Sequence, residues 1–184
     1  MKHNSLTRQI VLDQALQMAS NQGFSQVTYN GLARGLDVQP QSLYRYVDNI
    51  ADVKAGVVAE YVKHLIASLQ KQLLPYSGKE ALRQFAIYFI SYSQISIPFA
   101  EMVSGLTEYG HTPQVVKQLT NLRKLLVTII SDITNDPVDV NKNEELFLNF
   151  ITGNLALVTM GSLEIIHDQK IFTENVDRIL TLIK

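Results

Sequence analysis

Apolar positions recur at three- and four-residue steps along most of the chain, the spacing of helices rather than strands. Leu6, Ile10, Leu12, Ala15, Leu16 and Ala19 form the first stripe and predict a helix over 5–22, stopped by Gly23. Thr28 suits the N-cap of a short second helix. A turn falls near Asp37, and Pro40 opens a third helix at the position where its missing N–H costs nothing. Asn49 is placed to cap a long helix running to about Leu73, and Pro75, Ser77 and Gly78 form the clearest break. Helices follow at about 79–95, 98–109, 113–134, 142–168 and 173–183. Pro98, Pro113 and Pro137 mark starts or stops, and 134–143 reads as a polar loop. The pattern predicts an all-α protein of about nine helices, an N-terminal three-helix unit followed by a C-terminal helical bundle.

The segment richest in local information is Thr28 to Val47, T-Y-N-G-L-A-R-G-L-D-V-Q-P-Q-S-L-Y-R-Y-V. Two short helices locked at a fixed angle need apolar residues at fixed places. Leu32, Leu36, Val38, Leu43 and Tyr46 are expected inside, with the small Ala33 where the second helix passes close. The turn residue must tolerate a left-handed backbone. Gly is best there, and Asp37 is one of the few alternatives. Gly31 and Gly35 each cost about 1 kcal/mol relative to Ala inside so short a helix, which is therefore expected to depend on packing.

At this spacing the segment resembles the DNA-binding region of the tetracycline-repressor (TetR) family. The likeness rests on Gly23-Phe24, Val27-Thr28, Leu32-Ala33, Leu43-Tyr44-Arg45-Tyr46-Val47 and Asn49. It covers about residues 6–60; the remainder matches in size and helical character. Two departures stand out: Asp37 replaces the turn Gly, and Ile50 stands where a basic residue commonly opens the next helix, with Lys54 a turn later. The resemblance implies a helix-turn-helix domain over 1–48 and a ligand-binding and dimerisation domain over 49–184. It implies that Thr28 offers a phosphate its hydroxyl or N–H. Gln39, Gln41 and Ser42 would then face the bases, Gln being able to hold adenine by two hydrogen bonds. Tyr44 and Arg45 would meet phosphate, or guanine in the case of Arg45, and Lys54 would supply a further cation.

Composition adds limits. The chain has 184 residues, 46% hydrophobic and 18% charged, which is globular with apolar surface to spare for an oligomer interface or a cavity. The absence of cysteine removes disulfides, thiolate metal sites and Cys nucleophiles. The net charge of −1 would not by itself point to DNA, although residues 1–50 lean slightly basic. No apolar run is long enough for a bilayer and no apolar leader follows Lys2, so a cytoplasmic protein with no membrane partner is expected.

Other constellations are weaker. Glu164 and His167 form a single Glu-x-x-His, and Glu60 and His64 stand four apart; a ferritin-like di-iron site needs two such motifs and more carboxylates. Solvated or capping pairs are the plainer reading, with no metal, no cofactor and no catalytic residue expected. Helix 142–168 carries a wide apolar face, and Gly153, Leu157, Val158, Gly161 and Ile165 on it are the candidate homodimer contacts that the resemblance implies. Tyr88, Phe89, Tyr92, Ser93, Met102, Leu106, Phe150 and Asn154 are candidates for a ligand pocket. Arg83 and Arg123 are too few there for a phosphate clamp, so an apolar or amphipathic effector is expected. The expected function is a homodimeric repressor bound to an inverted-repeat operator in double-stranded DNA and released by a small molecule. The alternatives are a helical sensor or carrier without DNA binding, and a metalloenzyme using Glu164 and His167.

Overall fold

The computed structural model describes residues 6–95, 97, 99–159 and 169–183, the side chains at 93–95, 99–100, 158–159 and 169 excepted. Its elements are α1 (Arg8–Gln22), a 3-10 turn (Phe24–Gln26), α2 (Tyr29–Gly35), α3 (Pro40–Leu43), α4 (Ile50–Leu73), α5 (Gly78–Ile95), α6 (Phe99–Tyr109), α7 (Pro113–Ser131), α8 (Pro137–Thr159) and α9 (Gln169–Leu182). No strand occurs among the described residues, as the apolar spacing predicts. No helix among them is long and apolar enough to cross a membrane.

The chain divides into two compact units, one of residues 1–64 and 95–119, the other of residues 65–94 and 120–184. The division passes through α4 and α7, each of which contributes residues to both units, and separates Ile95 from the rest of α5.

In the first unit, local signals set the helix ends. The Thr7 hydroxyl accepts from the Ile10 amide at 3.2 Å and starts α1. Gly23, at φ 99°, ends it by donating its N–H to the Ala19 carbonyl. Asn49 accepts from the Asp52 amide at 2.9 Å and starts α4. The core gathers Val11, Leu12 and Ala15 of α1, Leu32, Leu43 and Val47 of the motif, and Val53 and Val57 of α4, all buried.

In the second unit, Phe85 of α5 meets Phe147 of α8 edge to face with centroids 6.0 Å apart, and Phe150 stacks with Phe172 of α9 at 5.8 Å. Polar links fasten the rim. Arg83 donates to Asp177 at 2.6 Å, Lys79 donates to the Leu180 carbonyl at 2.8 Å, and Arg123 grips the buried Glu144. The polar loop expected over 134–143 is shorter than predicted: α8 begins at Pro137 rather than near 142. Asp136 accepts from the Val138 amide at 2.8 Å, so Asp-Pro here opens a helix, the side chain capping and the proline filling the first helical position.

Candidate nucleic-acid interface

The Thr28–Val47 segment folds as two helices joined by a tight turn. The Thr28 hydroxyl accepts from the Gly31 amide at 3.2 Å, capping α2. At the other end Asp37 adopts φ 53°, the only non-glycine residue with positive φ among those described. Its N–H donates to the Arg34 carbonyl at 3.3 Å, and the Val38 N–H donates to the Ala33 carbonyl at 3.0 Å. That pair of bonds is the Schellman closure, which needs one left-handed residue just past the helix. Leu32, Ala33 and Leu43 are buried beneath the turn, while Leu36, Val38 and Tyr46 are only half-buried.

A Cβ on Gly31 would meet the end of the Met18 side chain, and one on Gly35 the end of Gln14, both flexible side chains of α1 that can move aside.

α3 has four α-helical residues, with Pro40 first and Gln39 at the N-cap making no side-chain capping bond. The Gln39 side chain is therefore not used by the helix it precedes. Gln39, Gln41, Tyr44 and Arg45 are exposed and Ser42 is half-buried. Tyr44 is 62% exposed although apolar in most of its surface. Its ring stacks on Tyr29 of α2 with centroids 4.9 Å apart and 28° between planes. The Tyr29 hydroxyl is buried without a partner, and burial, then the nearby Tyr44, pushes its pKa up. Lys54 lies farther along α4 with Nζ 5.5 Å from the Phe24 ring centroid, a cation–π contact within the chain.

Sequence reasoning missed the polar network behind α3. Arg8 of α1 forks onto Asp52 of α4, each nitrogen 2.6 Å from a carboxylate oxygen. Arg8 also donates to the Tyr46 carbonyl at 3.1 Å and to Gln114 of α7 at 3.2 Å. The Asp52 carboxylate accepts from the Asp48 amide at 3.1 Å as well. The Arg8 hydrogen bond, foremost, holds the Asp52 carboxyl below its usual range. A cleft of about 590 Å³ opens beside the network, lined by Asn49, Asp52, Glu108, Tyr109, Thr112 and Gln114 among others. Another contact of this unit runs from Glu101 of α6 to the Phe24 amide, so Glu101 is engaged at the 3-10 turn. The signals available were thin: one arginine opening α1 and one aspartate in the first turn of α4.

The other candidate residues fall as follows. Tyr88, Phe89, Tyr92, Phe150 and Asn154 belong to the second unit and are half-buried. Asn154 is turned onto its own helix, donating to the Phe150 carbonyl at 2.7 Å. Met102 and Leu106 belong to the first unit, where Met102 is fully buried. The Ser93 side chain lies outside the described residues. Phe150 lines a groove of about 420 Å³ with Asn175, Arg178, Ile179 and Leu182. On α8, Gly153 has no neighbour among the described residues within 4 Å of where a Cβ would stand, and Leu157 is 40% exposed. The Val158 side chain, Gly161, Ile165, Glu164 and His167 lie outside the described residues. Glu60 is held by Lys63 through both oxygens, with His64 at 3.9 Å. No cluster of three metal-binding side chains occurs among the described residues.

No family model matches the chain. It is similar to an uncharacterized HTH-type transcriptional regulator from Mycobacterium tuberculosis, 21% identical over 95% of this chain and 80% of the relative. Among solved structures, it resembles a protein of unknown function from Rhodococcus sp. RHA1, with TM-score 0.79 and 16% identity over 99% of this chain and 97% of that one. It also resembles SCO7222, a TetR from Streptomyces coelicolor, with TM-score 0.70 and 14% identity over 97% of each chain. FadR of Bacillus subtilis in complex with stearoyl-CoA superposes with TM-score 0.68 and 15% identity over 95% of this chain and 96% of that one. The fold is that of the TetR-type transcriptional regulators.

Proposed function

We propose that this chain is a cytoplasmic DNA-binding regulator of the TetR type. It acts as a homodimeric repressor that leaves its operator when a small apolar or amphipathic molecule binds. The observation that carries the reading is the helix-turn-helix itself: a Schellman-closed turn at Asp37 followed by a helix that presents Gln39, Gln41, Tyr44 and Arg45 to solvent. Residues 1–48 serve as the reading domain and 49–184 as the sensing and dimerising one. Gln39, Gln41 and Ser42 take the bases, while Thr28, Tyr44, Arg45 and Lys54 take the backbone. Lys54 is the weakest of these, because its ammonium already faces the Phe24 ring.

The effector class is supported in part by Arg83 and Arg123, both engaged by carboxylates, Asp177 and Glu144; Arg178, which lines the groove beside Phe150, is a cation outside that argument. The acyl chain of the stearoyl-CoA held by the Bacillus subtilis neighbour fits the apolar part of that class, whereas its CoA phosphates would need cations other than Arg83 and Arg123 here. The pocket candidates are Tyr88, Phe89, Tyr92, Ser93, Phe150 and Asn154 in the second unit, and Met102 and Leu106 in the first. The proposed dimer contacts are Gly153, Leu157, Val158, Gly161 and Ile165.

The test is selection from random duplex DNA with the purified protein, followed by variants. The wild type is expected to recover an inverted repeat whose binding weakens steeply with salt as counterions are released. Tyr44→Ala and Arg45→Ala should each weaken binding by about fivefold to a hundredfold with the fold intact, corresponding to roughly 1–3 kcal/mol per contact. Gln41→Ala should relax base preference more than affinity. No enriched sequence would leave the sensor or carrier reading in its place.

A further inference from the structure

The network behind α3 is built for geometry. Tyr46 and Asp48 lie in the turn just after α3, where backbone groups have no helical ladder to complete. Arg8 takes the Tyr46 carbonyl, and the Asp52 carboxylate takes the Asp48 amide, so one ion pair collects both loose groups. The pair is bidentate, a planar fork that fixes direction as well as distance. Arg8 is 40% exposed and Asp52 18%, so solvent screening limits what the pair adds to global stability. Its main effect is to hold one end of α3 against α1 and α4.

Gln114 brings in a third helix. Its oxygen accepts from the Arg8 nitrogen Nη2 at 3.2 Å, and its amide faces the Asp52 backbone oxygen at 3.3 Å and the carboxylate at 3.4 Å. Gln114 sits in the first turn of α7, a helix whose later residues belong to the second unit. Gln114 therefore ties the first turn of α7 to the Arg8–Asp52 pair, and through it to the Tyr46 carbonyl.

We propose that Arg8, Asp52 and Gln114 form a clasp that positions α3 for DNA reading, with Gln114 as the point through which α7 loosens it. The inference rests on the DNA-reading function proposed above. The experiment has one arm that needs no DNA. Amide hydrogen exchange over residues 43–48 is measured on the full chain, free of DNA, for the wild type, Asp52→Asn, Arg8→Lys and Gln114→Ala. The clasp predicts exchange at least tenfold faster in Asp52→Asn and Arg8→Lys and about threefold faster in Gln114→Ala, with the helical content unchanged. Arg8→Lys keeps the charge and loses the fork, so wild-type exchange in that variant overturns the geometric role. Unchanged exchange in Gln114→Ala, which removes no charge, overturns the link to α7 and remains readable if Asp52→Asn does not fold.

The second arm measures affinity for the duplex selected by the wild type, where the same order of loss is expected. Wild-type affinity in all three variants overturns the clasp and leaves DNA reading standing. If the wild type selects no duplex, DNA reading fails, and any faster exchange still measures the clasp alone.

Discussion

At the scale of single residues, the turn is the most informative place. Asp37 sits at φ 53°, a conformation costing a non-glycine residue roughly 1–2 kcal/mol, partly offset by glycine's greater freedom in the unfolded chain. Asp37→Gly should therefore raise stability by about 0.5–1 kcal/mol, and Asp37→Val should lower it by about 1–2 kcal/mol, read from urea midpoints. Asp52 gives a pH-dependent counterpart. Its folded-state pKa is lowered, chiefly by the Arg8 hydrogen bond, from a reference of 3.8. The stability it contributes is present above that reference value and is lost as pH falls through the lower folded value. The stability difference between wild type and Asp52→Asn should hold constant down to about pH 5 and narrow below pH 4. A gap that instead narrows between pH 8 and 6 would assign the effect to another group. The legibility of these residues follows the range of their interactions. Thr28, Asp37 and Asn49 act on backbone within a few positions and are readable as letters. Arg8 and Asp52 are 44 positions apart, and nothing periodic joins them.

At the scale of elements, helix existence is set by apolar spacing, which is why α1, α4, α5, α6 and α7 follow the predicted segments within a few residues. Boundaries depend on single side chains, and α8 shows how. Asp136-Pro137 reads equally as the end of a polar loop or as N-cap and first residue; the bond from the Val138 amide to Asp136 decides for the helix. Asp136→Ala should cost about 1 kcal/mol in stability and speed exchange of the first-turn amides of α8. Exchange unchanged there would mean that packing of the α7–α8 rim, through Arg123 and Glu144, holds the turn without its cap. The glycines of α2 carry a related lesson. Propensity marks them as faults, and the ends of Met18 and Gln14 on α1 are what added side chains would displace. The Tyr29–Tyr44 stack was likewise invisible, because the two rings lie on different helices with no shared period.

At the scale of the whole molecule, assembly is the consequence that matters most for the proposed function. A single helix of four residues such as α3 would offer too little surface to select a DNA site against a genome. Two copies related by a two-fold axis would present their helices roughly 34 Å apart, matching successive major grooves and an inverted repeat. α8 and α9 carry exposed apolar residues that such a pairing could cover: Leu157 is 40% exposed, Ile171 40% and Leu182 60%. Gly153, with no described residue within 4 Å of where a Cβ would stand, leaves room for a second helix on the side of α8 that carries Leu157. Leu157→Asp separates the two environments. In a lone chain the new carboxylate would sit at a site already 40% open to water, at little cost. At a two-fold interface it would be buried twice without a partner, costing several kcal/mol, of the order that holds a modest dimer together. Size-exclusion chromatography with light scattering should therefore show a wild-type dimer and a folded Leu157→Asp monomer at micromolar concentration. Operator affinity should fall with it by a hundredfold or more, because only one half-site can then be held at a time. A Leu157→Asp protein that remains dimeric would move the interface off this face of α8, and a wild type that is monomeric at the same concentration would remove the two-fold reader altogether.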